Sequence, residues 1–200
     1  MKSMLKGKAV MENVMIVSSS DKGVIYISEI LNSASACKIT AVKSGSEARM
    51  RLLERDFDLV IINAPLRDEA GESLALHAAS RETTQVILLV NREFIEAVFA
   101  VCEAEGILTI SKPVNKYIFM SALSLARSAY NKLRKVQCEK DQLRKKIEDI
   151  RIVDRAKCIL ISLFNMSEKE AHKYIEKQAM DMRITKRAVA ERIIKTYENF

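Results

Sequence analysis

Two hundred residues, 48% apolar and 30% charged, describe an ordinary globular chain of one large or two small domains. The formal charge is +7, and it is unevenly spread: residues 1–126 carry 14 Lys/Arg against 15 Asp/Glu, and residues 127–200 carry 19 against 11. All the excess positive charge therefore lies in the C-terminal part, where a polyanion is expected to bind.

No apolar run approaches the roughly 20 residues that span a bilayer. The opening residues, Met1–Val10, carry charge but lack the hydrophobic centre of a signal peptide. Cys37, Cys102, Cys138 and Cys158 are scattered with no C-x-x-C pair, and His77 and His172 stand alone. The expectation is a soluble cytoplasmic protein with reduced thiols, some buried as small apolar residues, holding no metal and no cofactor.

After a flexible start over residues 1–11, apolar β-rich runs alternate with helical patterns. The runs are Val14–Val17, Ile39–Val42, Leu59–Ile62, Val86–Val90 and Ile107–Ile110, and helices are predicted near 22–32, 46–55, 70–80, 92–104 and from 115 onward. Strands apolar throughout, separated by helices, imply a parallel sheet covered on both faces. Right-handed crossovers and five units suit an α/β flavodoxin-like domain of strand order 2-1-3-4-5.

In such a sheet the functional crevice lies at the carboxyl ends of the strands. The residues there are Ser18, Ser19 and Ser20 after the first strand, Asn63 at the end of the third, Val90 and Asn91 after the fourth, and Lys112–Pro113 after the fifth. The D-L-V-I-I-x-x-P-L tract and the Lys-Pro pair make residues 12–127 similar to a CheY-like receiver domain of response regulators. That resemblance implies two acidic residues holding Mg²⁺ after the first strand and a phosphoryl-accepting aspartate after the third. Ser18, Ser19 and Asn63 stand in those positions, and Val90 stands where a Thr or Ser is usual.

An amide is a poor nucleophile and a weak ligand for a hard cation. Asp58 is five strand residues, about 16 Å, from the crevice, and Asp21 is expected to cap the next helix. Ser18, Ser19, Asn63, Val90 and Lys112 thus form a degenerate phosphorylation pocket in a pseudo-receiver, with Lys112 expected to bond Asn63 or a nearby carbonyl. The resemblance further implies a cis Lys112–Pro113 bond.

From Asn115 to about Arg151 neither Pro nor Gly occurs. Tyr130, Leu133, Val136, Leu143, Ile147 and Ile150 follow mostly three- and four-residue steps, interrupted by Gln137 and Lys140. A helix of this length, roughly 54 Å at 1.5 Å per residue, reads as an imperfect, parallel, homodimeric coiled coil. The expected boundaries are 12–117 for the receiver, 118–151 for the linker helix and 152–200 for the last domain.

That last stretch reads as three short amphipathic helices. Ile152, Val153, Ala156, Ile159, Leu160 and Leu163 share one face of the first. Ser167 and Glu170 form a capping box that starts the second, with Ala171, Tyr174, Ile175, Gln178 and Met182 on one side. Thr185 caps the third, which buries Val189, Ala190, Ile193, Ile194 and Tyr197. The remaining faces are basic: Lys169, Lys173 and Lys177 make a stripe, and Arg183, Lys186 and Arg187 gather at the last corner. A charge stripe is often only a solvated face, but cations collected at a helix corner also suit a row of phosphates.

The tracts A-K-C-I-L (156–160), S-E-K-E-A (167–171) and K-Q-A-M-D-M-R (177–183) resemble the ANTAR domain of AmiR/NasR-type transcription antiterminators. Cys158 replaces a common glycine. The resemblance implies binding to paired stem-loops in nascent mRNA, two copies on one rod taking two hairpins together. Lys157, Lys173, Lys177, Arg183, Lys186 and Arg187 are expected at phosphates, and Gln178, Ala179 and Met182 at an unpaired loop base. RNA, a second copy of the chain and a regulatory protein are the expected partners, and no catalytic chemistry is implied.

Two other readings stand beside it. A DNA-binding helix-turn-helix output is disfavoured because the corner at Asp181–Thr185 lacks the glycine often found in that turn. A flavodoxin-like enzyme or ligand carrier lacks a glycine-rich phosphate loop, paired carboxylates or a nucleophile–base set.

Overall fold

A computed structural model describes residues 11–34 and 36–197. Most of the expected flexible start lies outside the described residues; Met11 is described, and it is buried in the core. The strands are β1 (Asn13–Ser18), β2 (Lys38–Val42), β3 (Leu59–Asn63), β4 (Gln85–Asn91) and β5 (Leu108–Lys112). The helices are α1 (Asp21–Ala34), α2 (Gly45–Glu54), α3 (Glu72–Ala79), α4 (Ile95–Ala104) behind a 3₁₀ turn at Arg92–Phe94, α5 (Lys116–Phe164), α6 (Glu168–Met182) and α7 (Lys186–Tyr197). They divide, within α5, into two compact units at residues 1–136 and 137–200.

In the first unit all strands are parallel, in the order β2-β1-β3-β4-β5. This is the flavodoxin-like order expected. Successive strand residues point to opposite faces, so one sheet feeds two cores. Met15, Val17, Val60, Ile62, Val86 and Leu88 pack with Leu52 of α2, Leu74 and Ala78 of α3, and Cys102 of α4. Val14, Ile16, Leu59, Ile61, Ile87 and Leu89 pack with Ile27 and Leu31 of α1 and with Phe119, Leu123, Ala126 and Tyr130 of α5.

The second core corrects two expectations. Residues 118–130 are the receiver's own last helix, so its boundary lies beyond 117. Tyr130 is only 4% exposed and donates its phenol to Asp58 Oδ1 at 2.6 Å; it is a core residue, not part of a helix-pairing seam. Asp58 Oδ2 also accepts the Glu12 and Asn13 amides at 2.8 and 2.9 Å, which ties the entry of β1 to that of β3.

The second unit also differs from the reading of a linker followed by three short helices. Its first helix is the C-terminal end of α5, a continuous 49-residue helix. Nothing between Arg151 and Ile152 can stop it: no Gly, Pro or capping residue interrupts the ladder. The chain turns only at Asn165, in the left-handed region at φ 53°, and at the capping box of Ser167 and Glu170. Ala156 and Leu160 of α5, Ala171, Ile175 and Ala179 of α6, and Val189, Ala190 and Ile193 of α7 form the bundle core. Leu163, Tyr174 and Met182, expected on buried faces, are 55%, 41% and 49% exposed. The small Ala171 and Ala179 take the inward positions and let α6 approach closely, so the larger neighbours are turned outward.

Burial first, then the bond and charge of Asp58, push the Tyr130 phenol up to about 12 from 10.0. A phenol whose pKa is raised on folding contributes fully below the unfolded value and loses that contribution as pH rises through the folded one. Tyr130→Phe should therefore destabilise the receiver by about 1.5–3 kcal/mol at pH 7. The gap between variant and wild type should hold up to pH 10 and shrink between 10 and 12 in urea titrations.

Candidate functional site

The carboxyl edge of the receiver sheet brings the expected pocket together. Ser18 pairs in register with Asn63, and Asn91 with Lys112. Asn63 Nδ2 donates to Ser18 Oγ at 2.9 Å. The same hydroxyl accepts the Ser20 amide at 3.2 Å and donates to the Ser20 carbonyl at 3.1 Å. Its one proton and two lone pairs are thus all engaged, leaving none for a cation. Ser19 donates to the Pro65 carbonyl at 3.3 Å. Val90 is buried in the core.

Lys112 donates to the Ala64 carbonyl, and the Lys112–Pro113 bond is cis, as is Ala64–Pro65. Asp21 does not cap α1; Ser20 does, its Oγ taking the Gly23 amide at 3.3 Å, and Asp21 pairs instead with Lys43 at 2.8 Å. Gly23 allows the close approach of α1, since a Cβ there would meet Asn63 Nδ2 at 2.5 Å.

In the helical unit the cations singled out in the sequence fall into two groups. Lys157 is held by Asp154 at 2.7 Å and Glu168 at 3.3 Å, its side chain only 15% exposed; the Asp154 bond, then that of Glu168, raise its pKa. Lys186 bonds Glu176, whose carboxyl is held below its ordinary value chiefly by that lysine. Arg187 joins Asp149 at 2.7 Å and Glu191 at 2.8 Å. These three cross-link the bundle, so the expected cationic corner is largely neutralised within the protein.

Lys169, Lys173, Lys177 and Arg183 form the other group: all are exposed and, among the described residues, have no ion pair. Arg183 ends α6 in the left-handed region at φ 54°.

Lys173 and Lys177 form a ridge between two grooves. One, of about 420 Å³, is lined by Phe164, Asn165, Met166, Glu170 and Tyr174; the other, of about 470 Å³, by Glu176, Ala179, Met180, Ile184 and Lys186. Phe164 is 46% exposed, and its ring meets Tyr197 edge-on at 5.2 Å. Glu170 also lines the first groove, its carboxylate accepting the Ser167 amide and hydroxyl at 2.8 and 2.7 Å, bonds that lower its pKa and keep it ionised.

Of the expected base contacts, Gln178 is half-buried and Met182 half-exposed, with Arg192 Nη1 3.3 Å from its sulfur. Ala179 is 8% exposed in the bundle core, which corrects its assignment as a base contact. Phe164 and Tyr174 are exposed in the first groove, whereas helical periodicity assigns an aromatic at such a position to the core.

Residues 141–194 match the model of the ANTAR domain family. This stretch is an ANTAR domain. It begins inside α5, upstream of the boundary expected at 152, and contains all of the cations just described.

Over 139 residues the chain is 28% identical to the transcriptional regulatory protein PdtaR of Mycobacterium tuberculosis, covering 70% of this chain and 68% of that one. Over 112 residues it is 28% identical to the aliphatic amidase regulator of Pseudomonas aeruginosa, covering 56% and 57%. The receiver fold is similar to the signal receiver domain of an HD domain-containing protein from Pseudomonas fluorescens, with a TM-score of 0.55, 24% identity and coverage of 66% of this chain and 98% of that one. It is also similar to the chemotaxis response regulator CheY4 of Vibrio cholerae, with a TM-score of 0.50, 19% identity and coverage of 58% and 99%. A CheY-like receiver followed by an ANTAR domain is the make-up of an ANTAR response regulator.

The division of cations separates folding from surface charge. Arg187→Ala should lower the stability of the ANTAR domain by a few tenths to about 1 kcal/mol. Lys173→Ala and Lys177→Ala should stay within about 0.5 kcal/mol of wild type, as read by thermal melting at low salt.

Proposed function

We propose that this chain is an RNA-binding transcription antitermination regulator whose ANTAR domain grips stem-loops in nascent mRNA, with a pseudo-receiver that works without phosphoryl transfer. The observation that carries the reading is the unpaired lysine ridge of α6 beside an aromatic groove. Phosphates bind cations that the protein has not already neutralised, and an unpaired loop base needs an exposed π-face nearby. Lys169, Lys173, Lys177 and Arg183 take the backbone. Tyr174 and Phe164 stack a splayed base, with Gln178 and Met182 beside them on α6.

Two copies act together. Val136, Leu143 and Ile150 recur every seven residues on α5, Leu133 and Ile147 fall on the alternate seam position, and these five side chains are 42–59% exposed. This is the a/d seam of a parallel two-stranded coiled coil, with Lys140 as its polar interruption. A second copy covering it sets two ANTAR domains on one rod, and the pair takes tandem hairpins with the gain of bivalency.

Binding to a tandem stem-loop RNA, compared with duplex DNA at matched salt, tests the function; preference for the duplex would reverse it. Replacing both Lys173 and Lys177 by Ala should flatten the slope of log K against log salt by about 1.4, at roughly 0.7 for each phosphate that is no longer neutralised. Tyr174→Ala should weaken hairpin binding by about 1–3 kcal/mol, while Tyr174→Phe keeps most of it.

The seam is tested apart from RNA. Leu143→Glu with Ile147→Glu should yield a monomer in analytical ultracentrifugation that still binds a single hairpin but loses the tandem advantage.

A further inference from the structure

We propose that the cleft at the carboxyl edge of the receiver sheet is an anion site for a small phosphate monoester, held without covalent transfer. The cleft has a volume of about 440 Å³, within the range of small-molecule sites. Its polar lining is Lys22, Lys112, Ser20, Tyr26 and Asn63: two cations and no carboxylate.

The reason lies in the balance of charge. Lys112 is half-buried, and burial alone lowers its pKa, with no carboxylate acting on it. Of its three N–H donors, one reaches a neutral acceptor, the Ala64 carbonyl. A cation drawn out of water without a counter-charge is costly, and no carboxylate lines the cleft. Asp21 is tied to Lys43 and Glu69 to Arg49. Asp68 takes the Gly45 and Ser46 amides at 2.8 and 2.9 Å, which hold its carboxyl at about 2. With Ser18, Ser19 and Asn63 in place of acids, the charged side chains that line the cleft are Lys22 and Lys112, the opposite of a Mg²⁺ site.

A phosphate monoester carries about −1.5 to −2 charges near neutral pH, matching the two lysines. Ile27, Leu89, Pro113 and Val114, with the Tyr26 ring, line the rest of the cleft and suit an organic body better than bare inorganic phosphate. This site is independent of the RNA reading: it uses no residue of the ANTAR domain, and either can fail alone.

The test titrates the full-length protein with phenyl phosphate, inorganic phosphate, phenol and MgCl₂, by calorimetry and by amide chemical shifts. Phenyl phosphate should saturate one site, more tightly than inorganic phosphate, and shift the Ser20, Gly23 and Lys112 amides; phenol and Mg²⁺ should not. Lys112→Met should weaken it at least about tenfold, the loss of one charge-assisted bond. Asn63→Asp, which supplies Lys112 with an internal counter-ion, should abolish it. Should Lys112→Met fail to fold, the exposed Lys22→Met variant must show the weakening instead. Equal binding by wild type and variants, shifts confined to Lys169, Lys173 and Lys177, or no saturable binding would each overturn the proposal.

Discussion

An unbroken backbone ladder from Lys116 to Phe164 is the constraint on which the rest of this chain depends. After Pro113 the sequence contains neither proline nor glycine, so no residue offers the helix a low-cost exit. One element must therefore serve three environments in turn. Phe119, Leu123, Ala126 and Tyr130 close the receiver core. Leu133 to Ile150 present an apolar row that neither core uses. Ala156 and Leu160 begin the ANTAR core. The change from one role to the next is written in side-chain size and spacing alone, since the backbone has no reason to register it.

The same economy governs charge in the ANTAR domain. A basic sequence does not amount to a basic surface, because carboxylates one or two turns away, or on the facing helix, neutralise cations selectively. Asp149, Asp154, Glu168, Glu176 and Glu191 together cover Lys157, Lys186 and Arg187. Surface pairs of this kind contribute little stability each, but they remove those cations from the set that a polyanion meets. The α6 stripe forms no ion pair among the described residues, since Glu170 bonds Ser167 and Glu176 bonds Lys186.

Much of the architecture was legible in the sequence because period and punctuation agreed. Five fully apolar runs separated by helical patterns required a parallel, doubly covered sheet, and Ser167 with Glu170 marked a helix start that the structure forms as a capping box. Thr185 likewise accepts the Ala188 amide at 3.2 Å. What failed to be legible depends on partners distant in sequence. Tyr130 fits a heptad as well as a core, and only Asp58, 72 residues away, decides between them. Ala179 and Tyr174 both continue a helical period, and the close approach of neighbouring helices, invisible to periodicity, sends the small one inward and the aromatic outward. Nor does composition distinguish Lys173, which is free, from Lys157, which is clasped.

The polar anchoring of the receiver sheet sits at the edge opposite the cleft. Asp58 collects two backbone amides and a phenol at the amino ends of β1 and β3. Thr84 donates to the Phe57 carbonyl at 2.9 Å just before β4, and the Gln85 amide bonds the Asp58 carbonyl at 3.0 Å. The Asp58, Thr84 and Gln85 backbone contacts join the entries of strands that the parallel topology separates by long crossovers, and the phenol ties α5 to the same point. At the carboxyl edge, by contrast, Ser18, Ser20 and Asn63 satisfy one another and contribute no net charge. Neutral side chains there carry none of the mutual repulsion that clustered carboxylates would, and the two apolar cores lie on the faces of the sheet. The polar contacts that anchor the strands and the polar groups of the cleft thus occupy opposite edges of one sheet, and Lys112 is the half-buried cation of the cleft edge.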